Sequence, residues 1–139
     1  MSRRLTAKDY GNVSALSLEK LTYYLENIKG KSILCMHHHL HPTNSFMDEY
    51  ITQNYAYVME LLEQYAEKIK FVISGHTHNY NHYLKNEINY IHAPSSSLGF
   101  KKENNQIFSL KKSQFLSFTD KMELIDASHL FEKIIEKSI

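Results

Sequence analysis

Two short segments decide the fold: residues 32–39 read SILCMHHH, and residues 70–78 read KFVISGHTH. Each is an apolar run that ends directly in histidines. Short apolar runs bounded by turn and polar residues are typical of buried strands in an α/β sheet. In such sheets, ligands bind beyond the carboxyl ends of the strands. The two segments therefore predict strands at 32–36 and 70–74 that both carry histidines to one edge of a sheet.

Helical spacing precedes both strands. Apolar residues at positions 18, 21, 25 and 28 predict a helix with Ser17 as its N-cap that ends before Gly30. A second apolar face between Tyr55 and Ile69 predicts another helix. Residues 80–84 and 88–93 predict a β-hairpin, 107–110 and 115–118 predict short strands, and 127–137 predict a closing helix. The expected fold class is α/β, with α+β character: strands alternating with helices, followed by an antiparallel hairpin.

Length and charge bound the possible functions. The chain has 139 residues, 42% of them hydrophobic, which predicts one domain over 1–139. Sixteen basic and fifteen acidic residues leave a net charge of +1, so we expect neither a nucleic-acid polymer nor an acidic membrane surface as partner. The start of the chain predicts no signal peptide or membrane anchor. The single cysteine, Cys35, predicts a packing role and a reducing compartment, so we expect a cytoplasmic protein.

The histidines are the unusual feature, with seven of nine between His37 and His82. Imidazole is a ligand for Zn, Mn and Fe, whereas Mg and Ca prefer oxygen. If the two strands are neighbours, His37 or His38 converges with His76 and His78, and the last two can serve different metals if they diverge in a loop. A two-metal site also needs a bridging carboxylate. No aspartate lies in a recognisable ligand pattern; the four are Asp9, Asp48, Asp120 and Asp126. For four other histidines we expect surface or structural roles: His41, His82, His92 and His129.

Together, ILCMHHH at 33–39, a helix, and FVISGHTH at 71–78 resemble the last two metal motifs of the calcineurin-like metallophosphoesterases. Within that superfamily, the triple histidine and APSSS at 93–97 look most like the bacterial class III cyclic-nucleotide phosphodiesterases. The region from Gly11 to Leu25 resembles the loop and helix that precede the first of these motifs. The resemblance covers roughly residues 8–100.

The resemblance implies a metal-dependent phosphoric ester hydrolase, a phosphodiesterase for 3′,5′-cyclic nucleotides, with two divalent transition metals (Mn, Fe or Zn). It places His37 and His76 on one metal and His78 on the other, with His38 as an alternative to His37. His38 and His39 would otherwise bind substrate at the entrance. Gly75 would permit the tight turn after the strand.

Three family motifs do not occur in the sequence: Asp-x-His, Gly-Asp-x-x-Asp and Gly-Asn-His-Asp/Glu. In the family they supply the bridging aspartate, an asparagine ligand and the histidine that assists the leaving group. We therefore expect the C-terminal half of an αββα sandwich, a truncated domain with a partial metal site and no assigned catalytic residue. Such a half would expose apolar sheet faces, which predicts weak or no activity alone, and self-association or a complementary N-terminal chain.

Two other functions fit parts of the sequence. A catalytically silent metallophosphoesterase-like scaffold would keep the fold and bind a partner without turnover. The spacing His37-x-His39-x-His41 also matches the histidine-triad nucleotide hydrolases. That second alternative leaves the segment from Gly75 to His78 unexplained.

Overall fold

The computed structural model describes residues 10–95, 98–111, 114–118 and 121–127. The first helix, α1, spans Ala15–Asn27, close to the predicted range. Its N-cap is Ser14, whose Oγ accepts a hydrogen bond from the Ser17 backbone N–H at 3.2 Å, so the prediction of Ser17 as the cap was wrong. Leu18 and Leu25 are buried on one face, as the spacing predicted. The amphipathic pattern thus located the helix, and the local hydrogen bond set its start.

Both histidine-bearing strands form, and they are neighbours. β1 spans Ser32–Met36 and pairs in parallel with β2, Ile69–Ser74. β3, Asn81–Lys85, and β4, Ile88–His92, form the predicted hairpin, and β4 also pairs in parallel with β2. The sheet order is β1-β2-β4-β3. Strands β1 and β2 therefore have their carboxyl ends on the same side of one sheet. Among the described strands, β1 is an edge strand of this sheet.

The second helix is shorter than its apolar face suggested. α2 spans Tyr55–Glu63, and a 3-10 turn at Ala66–Lys68 connects it to β2. The loop between β1 and α2 contains another 3-10 helix, Phe46–Tyr50, which the sequence did not predict. The side chain of Lys68 donates hydrogen bonds to the carbonyls of Leu25 and Glu26. This contact satisfies carbonyls at the end of α1, where no further turn exists to do so.

The core lies between the two helices and one face of the four-stranded sheet. Leu25, Leu62, Ile69 and Ile88 are each at most 1% exposed. The same cluster contains Val72 from β2 and Tyr90 from β4. Burial of such side chains contributes about 1.5–3 kcal/mol each, so this cluster is the main source of stability for the fold.

The opposite face of the sheet is less covered at β1. Ile33 is 52% exposed, and Cys35, on the same face of the strand, is exposed as well. The predicted packing role for Cys35 is therefore wrong. Alternating side chains of a strand point to opposite faces, and Leu34 and Met36 occupy the side that packs on the core.

The end of the described chain consists of two further hairpins. β5, Leu98–Glu103, pairs with β6, Gln106–Lys111, and β7, Gln114–Phe118, pairs with β8, Met122–Asp126. The predicted strands at 107–110 and 115–118 lie within β6 and β7, whereas β5 and β8 were not predicted. The predicted helix at 127–137 lies outside the described residues beyond Ala127. The predicted α/β class, with helices and parallel strands followed by antiparallel hairpins, is confirmed. None of the described helices is long and apolar enough to cross a membrane.

Candidate metal centre

The ends of β1 and β2 are joined by backbone hydrogen bonds. The N–H of Gly75 donates to the carbonyl of His37 at 3.0 Å and to that of Met36 at 3.3 Å. Met36 lies opposite Ser74 in the strand register. The parallel pairing therefore brings the residues after each strand, which are the histidines, directly side by side.

Three imidazoles converge at this edge and form what we call the histidine cluster: His37, His38 and His76. Their nitrogen ligand atoms lie within 4.8 Å of one another. Nδ1 of His76 is 3.0 Å from Nε2 of His37. A tetrahedral ion with Zn–N bonds of about 2.0–2.1 Å separates neighbouring nitrogens by about 3.3 Å. The pair from His37 and His76 is thus close to the spacing that one transition-metal ion requires.

The backbone between Gly75 and Asn79 has an unusual conformation. His76 and His78 have φ angles of 63° and 57°, in the left-handed region that non-glycine residues seldom occupy. Between them Thr77 is 1% exposed, and its Oγ1 donates to the Asn79 carbonyl at 3.2 Å. Left-handed backbone costs about 1–2 kcal/mol per residue, so the anchored threonine and its surroundings must hold it.

Gly75 does not have the conformational role that the sequence suggested. Its φ angle is not positive, and a Cβ placed on it would meet the His37 carbonyl at 3.7 Å, an ordinary contact. The strained positions are instead His76 and His78. The turn that presents these side chains is therefore made by the histidines themselves.

A cavity of about 420 Å³ opens beside the cluster, and we call it the histidine cavity. Among its lining residues are His37, His76 and His78, the three histidines predicted as metal ligands. His78 shares the cavity but is not one of the three convergent imidazoles. The structure thus brings the predicted ligands to one site and adds His38 to the tightest group.

His38 is held by a segment that precedes α1. A Cβ placed on Gly11 would lie 2.7 Å from Cβ of His38, so only glycine allows this close approach. The Gly11 carbonyl accepts a hydrogen bond from the Gln53 N–H at 2.8 Å, and Thr52 Oγ1 donates to the His38 carbonyl at 3.4 Å. The sequence did not predict this contact, because Gly11 and His38 are far apart along the chain.

The third histidine of the run has a different environment. His39 is completely buried, and its Nε2 lies 3.2 Å from Oδ1 of Asp48. It is not among the side chains that line the histidine cavity. Burial lowers the pKa of His39, although the hydrogen bond and charge of Asp48 act in the opposite direction. The His39 ring therefore lies in the interior, where a substrate cannot contact it.

Asp48 fixes the loop that follows the histidine run. Burial acts to raise its pKa, but hydrogen bonds from Thr43, His39 and Asn44 outweigh burial, and the pKa is lowered. The Thr43 N–H and Oγ1 donate at 2.9 and 2.8 Å, and the Asn44 N–H donates at 2.8 Å. The carboxylate is thus engaged in the loop and is not part of the histidine cluster.

The other histidines occupy separate sites. His92 is 1% exposed, and burial, followed by the charges of His39 and His41, lowers its pKa to about 4. The ring of His41 stacks on Tyr83 with centroids 4.0 Å apart. Nε2 of His82 lies 2.9 Å from Oδ1 of Asn89. His37, His39 and His41 therefore do not share one site, as a histidine triad would require. His129 lies outside the described residues.

The donor set suits a transition metal. Among the described residues, the histidine cluster is the single group of three or more potential ligands close enough to share an ion, and it contains no carboxylate. All-imidazole ligation favours Zn, Fe or similar metals over Mg and Ca. These residues fit one ion, whereas a carboxylate-bridged second ion would require ligands that the described residues do not bring there.

The fold and these histidines define a protein of α/β class with a candidate transition-metal site at the carboxyl ends of parallel strands. No protein-family model and no curated protein matches the chain. Among solved structures, it is similar to a dimetal phosphatase from Danio rerio, with a TM-score of 0.55 and 15% sequence identity. The match covers 81% of this chain but only 35% of that one. The chain thus shares the fold of about a third of that protein's length.

Proposed function

We propose that this chain forms the histidine-bearing part of a metal-dependent phosphoester hydrolase. The observation that carries the proposal is the convergence of His37, His38 and His76, with His78 on the same cavity, at the end of the parallel strands. Support also comes from the likeness in fold to a protein described as a dimetal phosphatase. Two findings thus point to the same chemistry: the ligand set and the architecture that presents it.

In this proposal His37 and His76 hold one divalent ion, His38 is the alternative ligand to His37, and His78 serves a second ion. When bound, such ions lower the pKa of water and neutralise charge on a phosphoryl group. The protein's own contribution is positional. The β1–β2 pairing holds His37 against His76, and the buried Thr77 lies between the two cavity-lining histidines His76 and His78. We keep Mn, Fe and Zn as the candidate metals.

The test is metal content of the purified chain by elemental analysis, together with hydrolysis of bis-p-nitrophenyl phosphate in added Mn²⁺. The wild-type chain should bind metal, and His76→Ala should lose it. His82→Ala is the matched control, because this histidine is exposed and contacts Asn89 rather than the cluster. Equal metal binding by all three proteins would refute the proposal.

For the substrate we propose a phosphodiester of the 3′,5′-cyclic nucleotide class. The support is the resemblance of the triple histidine and of the segment after β4 to the cyclic-nucleotide phosphodiesterases. Whatever turnover the chain shows should then be faster with cyclic nucleotides than with linear dinucleotides or monoesters under the same conditions. A preference for monoesters would exclude this class while leaving the hydrolase proposal in place.

We further propose that the chain, as one domain, is weakly active or inactive alone, and that it self-associates or pairs with a complementary N-terminal chain. The support is the absence of a carboxylate from the histidine cluster, together with the edge of β1, which pairs with no further strand among the described residues, and exposed Ile33 beside it. Unpaired strand edges flanked by apolar side chains favour association. Sedimentation analysis should show oligomers, and a compact, cooperatively melting monomer would contradict the proposal. A reducing, cytoplasmic location remains part of the proposal, tested by fractionation of the source cells.

A silent scaffold is the second candidate, favoured by the same absence of a bridging carboxylate from the cluster. It predicts that replacement of His37, His76 and His78 by alanine leaves partner binding unchanged. The hydrolase proposal predicts that the same replacements abolish metal binding and any turnover. Pull-down with the triple variant distinguishes the two functions.

A further inference from the structure

The histidine cavity has two chemically different walls. One is formed by histidines, and the other is apolar and consists of Phe46, Met47, Tyr50 and Ile107. The volume of about 420 Å³ lies within the range of about 300–1,000 Å³ that is typical of small-molecule sites. Neither wall, as far as the described residues form it, includes a carboxylate. These side chains therefore place no negative charge in the cavity that would repel an anionic ester.

Three of the four residues of the apolar wall lie in the loop after β1, and the fourth, Ile107, lies on β6. The 3-10 helix of this loop, Phe46–Tyr50, starts at Ser45, whose Oγ accepts a hydrogen bond from the Met47 N–H at 3.2 Å. Met47 is 6% exposed and anchors this turn. On the same short helix, Asp48 accepts three hydrogen bonds of less than 3 Å from Thr43 and Asn44. The three wall residues on this short helix are thus held by a hydrogen-bonded loop.

The aromatic rings of this wall adjoin the histidines. The Tyr50 ring centroid lies 5.9 Å from that of His76. On the other side, Nζ of Lys102 lies 6.0 Å from the Phe46 ring centroid, at the limit of a cation–π contact. A positive charge beside the aromatic wall favours the approach of an anionic ligand. The cavity therefore combines phosphoryl-binding chemistry, an aromatic surface and a nearby lysine.

The histidine wall and the apolar wall favour different parts of a ligand. A bare phosphate would contact the histidines and leave Phe46 and Tyr50 in water. The ester of a polyol would bring hydroxyl groups against apolar side chains, where they lose hydrogen bonds to water without replacement. A flat apolar group would instead cover the rings, which is favourable both by burial and by stacking.

Resting on the proposed function, we infer that the histidine cavity selects phosphoesters whose alcohol carries a flat ring, either an aryl group or a nucleobase. The phosphoryl group lies at His37, His76 and His78, and the flat group lies against Phe46 and Tyr50. Phe46 and Tyr50 are then the specificity-determining residues, and the histidines bind what all phosphoesters share.

The test is isothermal titration of the Mn²⁺-equilibrated chain with three probes: inorganic phosphate, glycerol 1-phosphate and phenyl phosphate. Phenyl phosphate should bind about tenfold more tightly than glycerol 1-phosphate, the effect expected of one stacked ring. Phe46→Leu and Tyr50→Leu should each reduce that ratio to about threefold or less, because a branched side chain cannot stack. Binding of inorganic phosphate is measured in each variant as the reference for the histidine wall.

Two control variants separate ring stacking from folding. Tyr50→Phe keeps the ring and should keep the ratio, and Tyr57→Leu removes an exposed tyrosine of α2 that does not line the cavity. Equal binding of phenyl and glycerol phosphates by the wild-type chain would overturn the inference and leave the hydrolase proposal standing. Failure of all three probes to bind the metal-loaded chain would overturn both. If Tyr50→Leu also loses binding of inorganic phosphate, the inference is still tested by the ratio of phenyl phosphate to glycerol 1-phosphate affinity in the wild-type chain and in Tyr50→Phe.

Discussion

Acid should destabilise this fold through one buried imidazole, that of His92. Its pKa falls from 6.5 to about 4, chiefly because burial disfavours the charged ring. Neither ring nitrogen has a hydrogen-bond partner within the described part of the chain. The groups around it are His39, His41, Tyr83 and Asp48. The folded state therefore keeps this ring neutral, at a pH where the unfolded chain binds a proton.

The sign and size of the effect follow from that difference. Between pH 6.5 and pH 4 the unfolded state binds more protons than the folded state, so stability is present above pH 6.5 and is lost as the pH falls. From pH 7 to pH 4.5, a pKa lowered from 6.5 to about 4 corresponds to a loss of about 2.5 kcal/mol in the free energy of unfolding. His39, whose pKa is also lowered, adds a loss of the same sign.

The assay is urea unfolding followed by circular dichroism at pH 7 and pH 4.5, for the wild-type chain and His92→Leu. The variant removes the titrating ring but keeps an apolar side chain in the buried site. We expect it to lose about 2 kcal/mol less than the wild type between the two pH values. His82→Leu is the control, since that histidine is exposed. An equal acid loss in His92→Leu and the wild type would refute the reasoning.

Three further predictions concern the loops around the site. Co²⁺ titration followed by visible absorption should show at least about 100-fold weaker binding by His76→Ala, whereas His82→Ala binds normally; equal affinities would exclude His76 as a ligand. Asp48→Ala should lower the free energy of unfolding by about 2–4 kcal/mol, since it leaves a buried imidazole without its partner, and a change below about 1 kcal/mol would contradict this. Gly11→Ala should cost about 1–3 kcal/mol and weaken Co²⁺ binding, because its Cβ overlaps a neighbouring imidazole. Gly30→Ala, with no atom within 4 Å, should leave Co²⁺ binding unchanged, and equal effects of the two would disprove the steric reason.

Local patterns predicted most of the elements near the site. The spacing of Leu18 and Leu25 located α1, and the apolar runs before the histidines located β1 and β2. The predicted hairpin was also found, with Asn86 and Glu87 at positive φ in its turn. These features depend on residues close in sequence, so periodicity and turn chemistry suffice to predict them.

Other features depend on contacts that no local pattern contains. The exposure of Cys35 results from which face of β1 packs on the helices, and an apolar run alone does not distinguish the two faces. The contact of Gly11 with His38 joins residues 27 positions apart in the sequence. The short helix Phe46–Tyr50 has little periodicity in five residues, so the aromatic wall of the cavity was not predicted.

The sequence by itself predicted two strands that end in histidines, a residue type that ligates transition metals. The reason is that the residue types and the apolar runs that predict strands can both be read from neighbouring residues in the sequence. Only the tertiary structure decided which rings converge. His37 and His38 converge on His76, whereas His39 turns inward to Asp48. Contacts between residues distant in sequence are the reason, because they define which side of the chain is interior. They also hold His76 and His78 in a left-handed backbone conformation that local preference disfavours.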